Sequence, residues 1–310
     1  LSKENMNIST NKTCSIIFAP LIKICEYLGK YHPVFLVKLR YFGKFKKWPD
    51  LKNPKDLNEK ILWLKLFSDT TMWTELADKY KVRSYVEGLG LGDYLVKLYG
   101  RWTDVNDIDF DSLPNSLIFK ANNGDGKGTN LIIRDLKKEN QEELRKVLRK
   151  WLQRKNIGAL SAEPQYKNIP PCIIAEELLP IPKDCHSLID YKIWCIGGEP
   201  KSVWICSDRD KDGGGADVMT YDLEWNAHPE FSVFTSEYRY GKLLPKPENF
   251  KEMLDVAGRL SAEFPQVRVD LYNIEGKIYF GELTFTSQGG MMDYYSPKFL
   301  LEMGKQIKLS

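Results

Sequence analysis

Lys120 stands directly before Ala121-Asn122-Asn123-Gly124-Asp125-Gly126-Lys127-Gly128-Thr129, a polar stretch with glycine at three alternate positions, flanked by the apolar runs 117–119 and 131–133. β-Favouring flanks around a glycine-rich connection predict strand, loop, strand. Glycine takes positive φ without steric cost, so successive amide N–H groups in such a loop can form a concave, cation-like nest for phosphate. The Lys120 ammonium adds a full charge beside it. The same text also reads as an ordinary glycine-rich hairpin with a solvated lysine. A second grouping lies at 267–284, where the β-patterned runs 267–272 and 277–284 flank Asn273-Ile274-Glu275-Gly276. Glycine as third residue of a three-residue loop predicts a type I turn plus bulge, pairing Asn273 with Lys277. That register sets Asp270 opposite Phe280 and Arg268 opposite Glu282, and it puts Arg268, Asp270, Glu282 and Thr284 on one face. The two carboxylates are then diagonal neighbours about 7–8 Å apart. They could converge on a hard cation such as Mg²⁺, or form a polar outer face with an Arg268–Glu282 pair. A loop of two or four residues would send one carboxylate to the other face.

Several elements must hold these groups. Leu57, Ile61, Leu64 and Phe67 share one face of a predicted helix over 57–67, and a second helix is expected over 73–85 with Leu76, Tyr80 and Val82 inward. Proline- and aspartate-rich text over 102–114 separates this helical part from the strand of Lys120. Leu144, Val147, Leu148, Trp151 and Leu152 recur at helical spacing within 137–154. Residues 172–179 read as a buried strand ending in Glu176 and Glu177, closed by Pro180 and Pro182. The segments 190–196 and 200–207 read as strands joined by a hairpin at Gly197-Gly198-Glu199, and 250–264 reads as a helix. Upstream, residues 14–39 are densely apolar, and Lys38, Arg40, Lys44, Lys46 and Lys47 then interleave with Tyr41, Phe42, Phe45 and Trp48. This is either a helical layer packed on the body with its lysines in water or a surface for anionic lipid headgroups.

Composition narrows the class. The chain has 310 residues, is 43% hydrophobic and 28% charged, and carries 45 Lys and Arg against 42 Asp and Glu, a net charge of +3. This is folded-protein chemistry, and it is too balanced for nucleic-acid binding through a global field. The six cysteines (Cys14, Cys25, Cys172, Cys185, Cys195, Cys206) contain no C-x-x-C pair and the three histidines are scattered. A zinc site or disulfide framework is not expected, and a cytoplasmic setting is. No run approaches the roughly 20 apolar residues of a membrane helix, and no secretory signal pattern opens the chain. Because the chain begins at Leu1, removal of an upstream segment is left open.

The order of these parts resembles the ATP-grasp fold: a lysine and glycine loop, an acid-ended strand, Asp190-Tyr191-Lys192 with Arg209 after it, then Asp270, Glu282 and Thr284. The stretches Leu57-Asn58-Glu59-Lys60-Ile61-Leu62-Trp63-Leu64-Lys65, Ala77-Asp78-Lys79-Tyr80-Lys81-Val82-Arg83 and Asp109-Phe110-Asp111-Ser112-Leu113-Pro114 are similar to the TupA-like ATP-grasp family of surface-polysaccharide biosynthesis, over roughly residues 53–308. The resemblance implies an α+β ATP-grasp fold with an N-terminal helical layer. The expected divisions are a basic and aromatic segment 1–56, a helical preamble 57–116, a small subdomain 117–182 and a C-terminal subdomain 183–310.

It further implies ATP and Mg²⁺ as cofactors. Lys120 would hold the α- and β-phosphates. The loop of Asn122, Gly124, Gly126, Lys127, Gly128 and Thr129 would close over the β- and γ-phosphates, and Glu176, Glu177, Leu178 and Leu179 would meet the adenine. Lys192, Arg209 and Arg268 are expected on the catalytic side, and Asp270, Glu282 and Thr284 around the metal. Many ATP-grasp enzymes have asparagine two residues after the metal glutamate, and here that position is Thr284. The implied reaction joins a carboxylate, on a sugar or an amino acid, to an amine through an acyl-phosphate, in capsular or teichuronic-type polymer synthesis. A metal-dependent glycosyltransferase is the alternative, because Asp208-Arg209-Asp210 and Asp210-Lys211-Asp212 each match the D-x-D pattern.

Overall fold

The structure, a computed structural model, describes residues 12–124, 128–155, 157–183, 185–210 and 214–309, with side chains from Pro20 onward. Gly126 and Lys127 of the glycine loop, and Lys211, Asp212 and Gly213, lie outside the described residues.

Helices α1 (Lys12–Tyr31) and α2 (Pro33–Phe45) lead into α3 (Leu57–Phe67). Asp56 starts α3 by accepting from the Glu59 N–H at 2.9 Å, which satisfies one of the donors a helix start leaves open. Leu57, Ile61 and Leu64 are buried as expected, but Phe67 is 49% exposed. The helix expected over 73–85 is instead two short ones, α4 (Thr71–Ala77) and α5 (Val82–Gly88). Asp78 divides them. Its carboxylate accepts from the N–H groups of Tyr80 and Lys81, a local turn that competes with the helical ladder, and Tyr80 consequently faces out at 37% exposure.

Two sheets follow. Strands β1 (Leu98–Trp102), β2 (Leu117–Ala121), β3 (Asn130–Ile133) and β4 (Ile173–Glu177) form a four-stranded antiparallel sheet in the order β1-β4-β2-β3. Sequence periodicity missed β1, an edge strand with no buried residue and a glycine at its centre. Helix α6 (Gln141–Leu152) covers this sheet with Leu144, Leu148 and Trp151, and Asn140 caps it by accepting from the Glu142 and Glu143 N–H groups. A one-turn helix, α7 (Pro164–Lys167), precedes β4. The larger sheet holds β5 (Asp190–Ile196), β6 (Glu199–Ser207), β7 (Ala216–Tyr221), β8 (Tyr238–Tyr240), β9 (Gln266–Ile274) and β10 (Lys277–Thr284) in the order β10-β9-β5-β6-β7-β8. Helix α8 (Phe250–Ser261) packs on β5, β6 and β9, and α9 (Pro297–Gln306) packs on α3.

The β9–β10 hairpin departs from the expected register. Lys277 pairs with Ile274, so the loop has two residues, Glu275 and Gly276, both at positive φ (51° and 85°). A pair of positive-φ residues is the type I′ connection that matches strand twist. By itself this shift would separate the carboxylates onto opposite faces. A bulge at Gly281 adds a second one-residue shift, after which Glu282 pairs with Asp270 and Thr284 with Arg268. Two shifts restore the parity, and the acids become direct cross-strand neighbours on one face rather than diagonal ones.

Candidate active site

Because β5, β9 and β10 are adjacent, their registers align side chains in rows. Lys192, Asp270 and Glu282 form one row, and Trp194, Arg268 and Thr284 form the next. The first row lines a cleft of about 910 Å³ between the two sheets, within the size of ligand sites, roughly 300–1,000 Å³. From the small sheet, β2 alternates Leu117, Phe119 and Ala121 into the core with Ile118 and Lys120 toward the cleft. Lys120, Gly124, Gly128, Thr129 and residues 176–179 line the same cleft as Lys192, Arg209, Arg268, Asp270, Glu282 and Thr284. Residues more than 150 positions apart in sequence therefore share one cavity.

The cations expected at the phosphates and on the catalytic side each already have a carboxylate. Lys120 Nζ donates to Glu176 Oε2 at 2.7 Å, and Arg83 Nη1 donates to Glu176 Oε1 at 3.2 Å. Arg268 grips both oxygens of Asp270 at 2.6 and 2.7 Å, and Lys192 donates to Asp270 Oδ2 at 2.5 Å. Arg209 donates twice to Asp190 Oδ2, at 2.9 and 2.7 Å. Burial opposes the charge on Lys192, but Asp190 and Asp270 together outweigh it and hold its pKa above the ordinary lysine value. Burial likewise pushes Asp270 up, and the adjacent Arg268 and Lys192 overrule it, leaving its carboxyl below the usual range. The Cys206 thiol on the cleft wall is pushed up to about 11, chiefly by burial, and is no nucleophile at neutral pH.

Three expected groups already have partners within the protein. Asn122 does not reach the cleft. Its buried amide donates to the Pro170 carbonyl and accepts from the Cys172 N–H, tying the loop's root to β4. Thr284 donates to Glu282 Oε1 at 3.1 Å and accepts from Arg268 Nη2 at 3.2 Å, so its hydroxyl orients the glutamate. Two of the three D-x-D acids are engaged elsewhere: Asp210 pairs with Arg239 at 3.0 Å, and Asp208 accepts from the His186 N–H. Neither lines the cleft.

Two braces had no assigned part. Lys79 Nζ donates to the Gly124 carbonyl at 2.8 Å and its backbone N–H to the Asn122 carbonyl at 3.0 Å, so the turn made by Asp78 supports the glycine loop. At Gly124 itself a Cβ would collide with the Thr129 hydroxyl. Lys65 is buried under the far end of the cleft and donates to the carbonyls of Ser161 and Gly289, both at 2.7 Å. It thereby fixes the loop Gln288-Gly289-Gly290, three successive residues at positive φ (46°, 65°, 79°).

Burial pushes the Lys65 ammonium down to about 8 from 10.5. Below about pH 8 it is charged in both folded and unfolded chains. Between there and 10.5 the unfolded chain holds more protons, so stability rises with pH, by about 3 kcal/mol at most. Buried thiols such as Cys206 pull total stability the other way over the same interval, so the Lys65 contribution is read as a difference: in urea unfolding, wild type is expected to gain on Lys65→Met as pH rises from about 8 to 10.5.

Metal fit rests on the donor set. Asp270 and Glu282 offer adjacent carboxylate oxygens, which suit Mg²⁺. Among the described residues no cluster of three or more His, Cys, Asp or Glu converges. A two-carboxylate site fits a Mg²⁺ that completes its shell with water and substrate phosphates.

A lysine and glycine loop on a small antiparallel sheet, facing carboxylates on a larger one, are the parts of an ATP-grasp protein, the class of ligases that use ATP and Mg²⁺. The TupA-like ATPgrasp family model matches residues 59–308, and the chain belongs to that family. No curated protein sequence matches the chain. Among solved structures it is similar to D-alanine–D-alanine ligase from Bacillus anthracis, at 14% identity over 75% of this chain and 67% of that one, TM-score 0.47. It is also similar to an L-amino acid ligase from Bacillus licheniformis, at 14% identity over 71% and 43%, TM-score 0.43. A third is biotin carboxylase from Campylobacter jejuni, at 11% identity over 81% and 48%, TM-score 0.41. The chain thus spans less than half the length of the last two.

Proposed function

We propose that this chain is an ATP- and Mg²⁺-dependent carboxylate–amine ligase of surface-polysaccharide synthesis, working in the cytoplasm on a sugar or amino-acid carboxylate and an amine. One observation carries the reading: Lys120 with glycines 124 and 128, and Asp270 with Glu282, line a single cleft. Residues 117–182 and 183–310 act as the two clasping halves, behind the helical preamble 57–116 and the segment 1–56.

Lys120 neutralises the α- and β-phosphates, and the glycine loop presents its N–H groups to the β- and γ-phosphates. Glu176, Glu177, Leu178 and Leu179 receive the adenine. Asp270 and Glu282 would hold Mg²⁺, which would supply charge neutralisation at the phosphates. A substrate carboxylate oxygen bonds the γ-phosphorus and ADP leaves. The amine then bonds the acyl carbon, loses a proton, and phosphate departs. Lys192, Arg209 and Arg268 stabilise the oxygens that gain charge in both steps.

ADP release that requires carboxylate and amine together supports this reaction, and absence of ATP binding by calorimetry with Mg²⁺ would remove it. Thermal shift separates it from a sugar-nucleotide transferase, since a ligand at 100 times its Kd adds about 2.7 kcal/mol. ATP is expected to stabilise the protein and UDP-sugars are not. Lys120→Met should weaken ATP binding about ten- to a hundredfold while melting at the wild-type temperature, because Arg83 still pairs with Glu176.

A further inference from the structure

Helices α1 and α2 precede residue 59, where the family match begins. Helix α2 has two distinct halves. At about 100° of turn per residue, Leu36, Val37 and Tyr41 point into the body and are buried. Arg40 and Lys44 lie on that same half and line the cleft, with Lys44 donating to Gln288 Oε1 at 3.1 Å. Phe35, Leu39 and Phe42 occupy the opposite half, exposed by 57%, 45% and 39%. Trp48, 58% exposed, stacks on Phe42 with ring centroids 4.7 Å apart. Helix α1 also carries exposed apolar residues, Leu21, Ile24, Tyr27 and Tyr31. Its other side is seated by Gly29, where a Cβ would collide with the Ala159 carbonyl.

The charge around this face is one-sided. Of the seven Lys and Arg between residues 20 and 48, Arg40 and Lys44 face the cleft and Lys47 pairs with Asp56, which leaves Lys23, Lys30, Lys38 and Lys46 against one acid, Glu26. Lys38 and Lys46 flank the stripe and are exposed. Apolar and aromatic residues bordered by cations suit the interface of an anionic bilayer, where the rings enter the headgroup boundary and the lysines meet lipid phosphates. Among the described residues no helix is long and apolar enough to cross a membrane, so such a pair would lie on the surface.

We propose that α1, α2 and Trp48 seat the protein peripherally on an anionic phospholipid bilayer. Because Arg40 and Lys44 sit across α2 from the lipid-facing stripe, that end of the cleft lies one helix diameter, about 10 Å, from the surface. This fits an acceptor carried at the bilayer; that last clause rests on the ligase reading, whereas vesicle binding does not.

The full chain, without nucleotide, is co-sedimented with vesicles of phosphatidylcholine alone and with one lipid in three replaced by phosphatidylglycerol. The expected result is roughly tenfold stronger partitioning onto the anionic vesicles, weakening as salt rises. Replacing Phe35, Leu39 and Phe42 together by serine should lower it at least about tenfold, with ATP binding and melting temperature unchanged. Lys38→Glu with Lys46→Glu should abolish the anionic preference. No partitioning, or equal partitioning onto both vesicles, overturns the proposal. So does a wild-type dimer in ultracentrifugation that the triple serine variant converts to monomer, since a second copy would then cover the face.

Discussion

Asp270→Asn is expected to lower turnover about 100- to 1,000-fold and to melt about 10 °C below wild type. The second figure follows from burial. Asp270 satisfies Arg268 at both oxygens and Lys192 at one of them. An amide of the same shape keeps one acceptor but turns an NH₂ toward a donor, leaving Lys192 and Arg268 only the more distant carboxylates of Asp190, at 3.7 Å, and Glu282, at 3.8 Å. Removing one partner of a buried ion pair costs about 3–5 kcal/mol, a shift of that order in a protein of this size. The acid side of the stability curve gives an independent reading. Arg268 and Lys192 hold the Asp270 carboxyl below its ordinary range. Its contribution is therefore complete above the unfolded-chain value near 3.9 and fades as pH falls through the lower folded value. The gap between wild type and variant should be widest near neutral pH and close in acid. Calorimetric scans between neutral pH and pH 3, with ADP release assayed at neutral pH, measure both. An unchanged melting temperature would contradict the ion-paired geometry.

The second large effect is expected at a residue with no side chain. A Cβ on Gly281 would lie 2.8 Å from the Asp270 carbonyl oxygen and 3.4 Å from its carbonyl carbon, and the obstacle is backbone, which cannot swing aside. Gly281→Ala should flatten the bulge or slip the register, either of which moves Glu282 out of its place opposite Asp270. Activity is expected to fall about 100-fold, with a stability cost of about 1–3 kcal/mol. Gly276→Ala in the adjoining turn is the control. Its position has φ of 85° but open space for a methyl, so it should cost on the order of 1 kcal/mol of backbone strain and leave turnover intact. Equal activity in the two variants would show that the bulge is not what aligns the carboxylates.

That hairpin also marks where local signals stop. The strand, glycine loop and strand of 117–133, the amphipathic helix ending at Leu152 and the paired strands around Gly197-Gly198 were legible because periodicity and turn chemistry agree there. The face shared by Arg268, Asp270, Glu282 and Thr284 was legible too, but through a register that the fold does not use. Glu275 at positive φ is not a residue that announces a two-residue turn, and a bulge at Gly281 has no signature apart from the glycine. Asp78 likewise reads as a helix residue until its carboxylate is seen to accept from two N–H groups downstream. Arg83, Lys79 and Lys65 were visible as lysines and arginines on helical text. What each one grips depends on contacts between segments far apart in the chain, which no local pattern encodes. Asn122 shows the converse: a polar residue in a nucleotide-loop motif whose side chain is taken up by the Pro170 carbonyl and the Cys172 N–H.

The pairing of Lys120 with Glu176, of Arg209 with Asp190, and of Lys192 and Arg268 with Asp270 has a kinetic corollary. Positive charges cancelled at rest project little long-range field, so polyanions are not drawn in from a distance as they would be by an open basic funnel. Under the proposed function, entry of a triphosphate would exchange these internal partners for its oxygens, with a divalent counter-ion taking up the carboxylates that the cations release.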